Sequence, residues 1–210
     1  MACAICKTRR EKRHCPGVQG EICAICCGEQ REETINCPLS CEYLQMAHHH
    51  EALEKKDPAG VPNADTRITQ EFLQTNVQLV VALQHALLLG AVQTNAVDND
   101  VKEALDGLVR TYKTLDSGLY YDSRPTNPMA GGIFDAIQAR VAEIRKLEND
   151  RGVHKLLESQ IQKVLILLQQ MEYAFNNRRS RGRCFLDNLQ ATLGDLAESQ
   201  QPDPAQLIVS

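Results

Sequence analysis

Residues 157–175 read LESQIQKVLILLQQMEYAF, and within them Leu157, Ile161, Val164, Leu168, Met171 and Phe175 recur at alternating steps of four and three. That spacing lays one apolar stripe along an α-helix and suits left-handed, bundle-type packing. A single helix of this length is marginal in water, so the stripe requires other helices to bury it.

Those helices are legible on either side. Upstream, Val101, Leu105, Leu108, Tyr112 and Leu115 step by four, three, four and three. Before them, Ile68, Phe72, Leu79, Leu83 and Leu87 keep helical spacing behind a start that Asp65 or Thr66 would cap. Residues 117–128 (SGLYYDSRPTNP) form a loop expected to lie across the bundle, with Tyr120 and Tyr121 in it. A third helix runs from about Gly132 through Ile133, Ile137, Val141, Ile144 and Leu147 until Asn149, Asp150, Arg151 and Gly152 interrupt or kink it. Downstream, the arginine-rich turn at 178–183 leads into a shorter helix carrying Leu186, Leu189 and Leu193. The expected architecture is mainly α: a small N-terminal module over 1–56, a linker at 57–65, a four- to five-helix bundle over 66–196 and a flexible tail at 197–210.

Composition agrees. The 210 residues are 43% hydrophobic and 24% charged, with 4% aromatics and no Trp, which favours aliphatic helix packing over a β-sandwich or wholesale disorder. A formal net charge of -4 argues against a surface that coats nucleic acid throughout, while a local basic patch stays compatible with it. No charged and then apolar leader opens the chain, and the most apolar stretch, 77–92, is broken by Gln78, Gln84 and His85. It falls short of the roughly 20 apolar residues a membrane span needs. The expectation is a cytoplasmic protein with no membrane partner.

Eight of the nine cysteines crowd into residues 3–41. They form a repeat: Cys3-Ala4-Ile5-Cys6, eight residues, then Cys15-Pro16; and Cys23-Ala24-Ile25-Cys26, ten residues, then Cys37-Pro38. Cys27 and Cys41 complete two sets of four. In a reducing compartment such thiols are metal ligands rather than disulfides, and eight of them are what two tetrahedral, structural zinc ions require. Neither ferredoxin spacing is present, and an all-cysteine shell leaves no open position for catalysis. Two pairings are open. In a cross-brace, Cys3, Cys6, Cys23 and Cys26 share one ion and Cys15, Cys27, Cys37 and Cys41 the other; in a sequential or mixed layout, Cys23, Cys26, Cys37 and Cys41 share one. Cys26-Cys27-Gly28 reads as the end of a knuckle, and Pro38 as the first turn of a helix through Tyr43, Leu44 and Leu53 that aims Cys37 and Cys41 inward. His48, seven residues after Cys41, could replace one thiolate, although three histidines on a polar helix are more often solvated. Cys184 stands alone as a buried helix residue.

Over residues 23–56 this arrangement of ligands resembles a treble-clef zinc finger. The string C-x2-C-x3-R-x4-CP followed by C-x2-CCG and CPLSCEYL (37–44) is similar to an uncharacterised bacterial family with a cysteine-rich N-terminus and a helical remainder. The resemblance implies a bacterial cytosolic protein and no particular activity.

No nucleophile elbow, phosphate-binding loop, dinucleotide fingerprint or zinc-protease motif occurs, and His85 and His154 stand alone in helices. The expected function is therefore non-enzymatic: a zinc-stabilised interaction or scaffold protein that binds a protein partner or itself. The alternative is a nucleic-acid-binding finger. It rests on the loop where Lys7, Arg9, Arg10, Lys12 and Arg13 face one acid, Glu11, with four more arginines at 178–183. Against it, no aromatic side chain interleaves that loop for base stacking.

Overall fold

The computed structural model describes residues 2–52, 56–116, 118, 119, 121–152 and 156–199, with the side chains of 116 and 195–199 excepted. Expectations for Leu53, Tyr120, His154 and residues 200–210 lie outside that set.

The chain is mainly helical. A short antiparallel hairpin, β1 (Arg13–Cys15) and β2 (Gly20–Ile22), pairs Arg13 with Ile22 and Cys15 with Gly20. Then come α1 (Ala24–Gln30), α2 (Glu42–Ala52), α3 (Gln70–Thr75), α4 (Val77–Thr94), α5 (Asp98–Asp116), α6 (Pro128–Arg151), α7 (Glu158–Phe175) and α8 (Cys184–Ser199).

Four long helices build the core. α4 packs chiefly on α6 and α5 chiefly on α7, while α8 covers the end formed by α4, α5 and α7. The stripes meet there, with Val101, Leu105 and Leu108 of α5 and Ile161, Val164 and Leu168 of α7 fully buried. Leu157, expected to open the α7 stripe, instead precedes the helix and is 56% exposed, while Leu156 joins the core. α4 and α6 cross closely because the contact is glycine. A Cβ on Gly90 would stand 3.0 Å from the Ile133 Cα, and one on Gly132 would collide with Thr94. By length and composition alone, α4 is apolar enough to span a membrane, with a mean hydropathy of 1.5, and 39% of it is buried inside the bundle.

Boundaries shift from the sequence reading in several places. The first helical stretch is two helices, jointed at Asn76, and its cap is Thr69, whose Oγ1 accepts the Phe72 N–H at 3.1 Å, in place of Asp65 or Thr66. α6 starts earlier, at Pro128, behind the Asn127 cap, while the interruption expected at 149–152 is its end, on Gly152 at φ 63. α8 continues to Ser199, past the expected limit at 196. Residues 57–63 lie along α7: the Tyr173 hydroxyl donates to the Asp57 carbonyl at 2.9 Å and Asn63 Nδ2 to Gln169 Oε1 at 2.8 Å.

α5 and α8 are joined at their starts. Asp98, 1% exposed, accepts the Phe185 N–H at 2.9 Å and the Leu186 N–H at 3.2 Å, two donors that the first turn of α8 cannot satisfy itself.

Candidate metal centre

The N-terminal segment folds back on the hairpin. Ala4 N–H donates to the Glu21 carbonyl at 2.8 Å and Lys12 N–H to that of Ile22 at 2.9 Å. A tight turn, with Lys7 left-handed at φ 56 and its N–H on the Cys3 carbonyl at 2.9 Å, sets Cys3 and Cys6 side by side. β2 delivers Cys23 beneath them, and Cys23 opens α1, which carries Cys26.

The sulfurs of Cys3, Cys6, Cys23 and Cys26 lie within 4.8 Å of one another. This is the cross-brace grouping for the first set. Cys23 and Cys26 are shared with Cys3 and Cys6, not with Cys37 and Cys41 as a treble clef would have them. Zinc at about 2.3 Å from four sulfurs sets them about 3.8 Å apart, so the cluster needs only a small contraction to hold an ion. Backbone amides already point at it: Cys23 N–H donates to Cys3 Sγ at 3.2 Å and Cys26 N–H to Cys23 Sγ at 3.4 Å. The Thr8 hydroxyl and the backbone N–H groups of Arg9 and Thr8 hold the Cys6 thiol down at about 5. Burial, which would raise the Cys3 thiol, is outweighed by the N–H groups of Cys23, Cys6 and Ile5, which lower it. Burial and the neighbouring Cys23, Cys6 and Cys3 push Cys26 up to about 12. Hydrogen bonds thus favour thiolate at Cys6 and Cys3 while burial and crowding oppose it at Cys26, and a bound cation would release the remaining protons.

Cys26 and Cys27 are consecutive on a helix, not at a glycine-ended knuckle, and Gly28 is an ordinary α1 residue. Consecutive helical side chains diverge by about 100°, which sends Cys27 away from the first cluster. It joins Cys15, Cys37 and Cys41 around a separate cavity of about 10 Å³. That set lacks the mutual 4.8 Å spacing of the first. Cys37 and Cys41 flank a turn, with Cys41 N–H on the Pro38 carbonyl at 3.0 Å, and α2 begins only after them at Glu42. Helix geometry thus does not aim them, contrary to the sequence reading.

The basic loop is divided by the sulfurs. Arg9 is hydrogen-bonded to Cys23 and sits in the field of Cys6 and Cys26, which raises its pKa further. Arg13 donates to Cys27 Sγ at 3.7 Å and stacks 4.2 Å over the Tyr43 ring. Lys7, Arg9, Arg10 and Lys12 are exposed, and Arg13 is half-buried. Of the second arginine cluster, Arg179 turns inward, donating to the carbonyls of Gly28 at 3.3 Å and Arg31 at 2.8 Å, while Arg178, 5.3 Å over the Tyr173 ring, and Arg181 are exposed.

His48 joins neither cysteine set. It is 4% exposed, with Nε2 at 3.0 Å from Glu32 and Nδ1 at 2.9 Å from Asp187. Burial alone would lower its pKa, but Asp187 and Glu32 raise it to about 9. His49 and His50 are exposed, as is His14, which pairs with Glu21 at 3.1 Å. His48, Glu51 and Cys184 also gather ligand atoms within 4.8 Å, so they could hold a metal. They could do so only by taking His48 from one of its carboxylates and the proton from Cys184, whose thiol burial pushes up to about 12.

The roles of Glu32, Arg9 and Arg13 escape sequence reasoning. Glu32 sits in an acidic run, and nothing in the pattern singles it out. Comparison with family models, curated proteins and solved structures finds no match to this chain.

Proposed function

We propose that this is a non-enzymatic, zinc-stabilised scaffold that binds a protein partner or a second copy of itself, in a cytoplasmic setting. The observation that carries the reading is the gathered tetrathiol of Cys3, Cys6, Cys23 and Cys26. Four soft sulfur ligands in tetrahedral reach select zinc, and a closed shell of protein ligands stabilises a fold rather than activating a substrate. With eight thiols the full complement is two structural ions. Outward apolar side chains on α4, Leu89 at 47% and Val92 at 68% exposure, supply contact surface of the kind a protein partner covers. Membership in a bacterial cysteine-rich family rests on the ligand string alone.

The nucleic-acid reading is favoured by one observation, the exposure of Lys7, Arg9, Arg10 and Lys12 on a single loop. The engagement of Arg9 and Arg13 with sulfur weighs against it.

The test is capture of the full-length tagged protein from its native cell, with and without nuclease, and with zinc measured in the product. Bound zinc together with a protein partner or self-association that survives nuclease supports the scaffold. Metal-free, folded protein, or partners that vanish with nuclease, overturns it.

A further inference from the structure

The second cysteine set lies within the cysteine module, around a cavity lined by residues 13–44. Its members come from separate pieces of chain: Cys15 from β1, Cys27 from α1, and Cys37 and Cys41 from the turn before α2. All four line one cavity of about 10 Å³, room for roughly one water-sized body. Arg13 and Arg31 line the same cavity. The Nε of each is buried without a hydrogen-bond partner. Arg31 also reaches Glu51 at 3.4 Å, whereas Arg13 turns its Nη1 to Cys27. A guanidinium keeps its charge when buried, so its place beside neutral thiols is costly and beside thiolates favourable. Four thiolates around a divalent cation carry two net negative charges.

Glu32 connects this set to the bundle. Its backbone N–H is hydrogen-bonded to Cys37, and its backbone is held left-handed at φ 54. Its carbonyl accepts the Arg181 N–H at 2.8 Å. Its carboxylate, 1% exposed with the rest of the residue, accepts the Arg183 N–H at 2.9 Å, Asn177 Nδ2 at 2.8 Å and His48 Nε2 at 3.0 Å. One residue therefore touches a cysteine of the second set, the 176–183 loop and α2. The first set meets the same loop less directly, through α1, where the Gly28 carbonyl accepts Arg179 Nη1 at 3.3 Å two residues beyond Cys26.

We infer that Cys15, Cys27, Cys37 and Cys41 form a second metal site whose loading, rather than that of the first, fastens the cysteine module to the helical body through Glu32. The inference rests on the reading of the module as metal-stabilised. A divalent ion entering four thiols forms four metal–sulfur bonds and releases four protons to solvent. Because the four sulfurs stand farther apart than those of the first set, binding draws Cys37 inward and fixes the Glu32 peptide. The Arg181 and Arg183 amides then gain a stationary acceptor.

The experiment uses the full chain and two double variants, Cys3→Ser with Cys6→Ser and Cys37→Ser with Cys41→Ser, each saturated with zinc or stripped of it. Bound metal is counted, and amide hydrogen exchange is followed at Arg181 and Arg183. The parent is expected to bind two ions and each variant one. In the Cys3/Cys6 variant, stripping should speed exchange at both amides by about tenfold or more, while α5 and α7 stay protected. In the Cys37/Cys41 variant the two amides should exchange fast whether or not zinc is present. If the Cys37/Cys41 variant fails to fold, the loaded and stripped comparison in the Cys3/Cys6 variant decides alone. One ion in the parent, or two ions with exchange at Arg181 and Arg183 indifferent to the second, overturns the fastening while leaving the scaffold standing. A parent that binds no ion overturns both.

Discussion

Glu32 and His48 meet at 3.0 Å, oxygen to Nε2, each less than 5% exposed, at the seam between the cysteine module and the helical body. Asp187 of α8 holds the other ring nitrogen at 2.9 Å. One imidazolium flanked by two carboxylates thus ties α2 to the α1 end on one side and to α8 on the other. An ion pair removed from water repays its desolvation only when its remaining bonds are satisfied. Here Asn177 and the Arg183 amide complete the Glu32 carboxylate.

That geometry sets a pH dependence. The folded pKa of His48 is raised from 6.5 to about 9, so its stabilisation is complete below about 6.5 and is lost as pH rises through 9. Glu32 shifts the other way. Burial would raise it, but His48 and Asn177 lower it below 4.5, so its contribution is present above that pH and lost on acidification. The alkaline loss from His48 amounts to about 3 kcal/mol at most. Urea melts of zinc-saturated parent and His48→Gln from pH 6 to 10 should converge as pH rises. Parallel curves would show that His48 holds no charge in the fold.

Asp98→Ala should be among the most damaging single changes. It strips the Phe185 and Leu186 amides of a buried acceptor at the start of α8, at a cost of about 2 to 4 kcal/mol. Asp98→Asn, which keeps one acceptor oxygen, should fall between. Chemical denaturation measures both, and an Ala variant as stable as the parent would remove Asp98 from the packing of α5 on α8.

Leu168→Asp places a charge at a fully buried position of α7 and should cost several kcal/mol. The same melts report it, and a parent-like transition would mean that this face does not form the core.

The helical body was legible because its information is local. The α5 and α7 stripes are repeats of three and four, and their burial follows from spacing alone. The joint at Asn76 was hidden because apolar residues continue through it. The three-residue strands carry no alternation long enough to read. In the cysteine module, spacing foretold the first tetrathiol but left its pairing open, because pairing depends on how the hairpin folds the two repeats together. It misjudged α1 because seven residues held by N–H···S bonds and packing leave little helical signature. The Glu32, His48 and Asp187 seam was not legible at all: its members are 16 and 139 positions apart and acquire meaning only in three dimensions.

The basic loop decides between the two functional readings, and the structure changes which residues should be altered. Arg9 and Arg13 face sulfur, so removing them would disturb the metal clusters and confound any binding result. Lys7, Arg10 and Lys12 are exposed, as Arg9 is, but engage no sulfur, so they are the side chains to alter. If all three meet phosphates, each displaces condensed counterions, and affinity falls as salt rises. The slope of log affinity against log salt should then be shallower in the triple alanine variant by about 2.7 on duplex DNA or about 2.1 on a single strand, at about 0.9 and 0.7 per contact. Bound zinc should be unchanged, because none of the three is a ligand. Fluorescence anisotropy of labelled DNA and RNA, single- and double-stranded, across a salt series gives the slopes for parent and variant. The scaffold reading expects no salt-dependent binding even at low ionic strength. Micromolar or tighter parent binding with the stated loss of slope would reverse the order of the two readings.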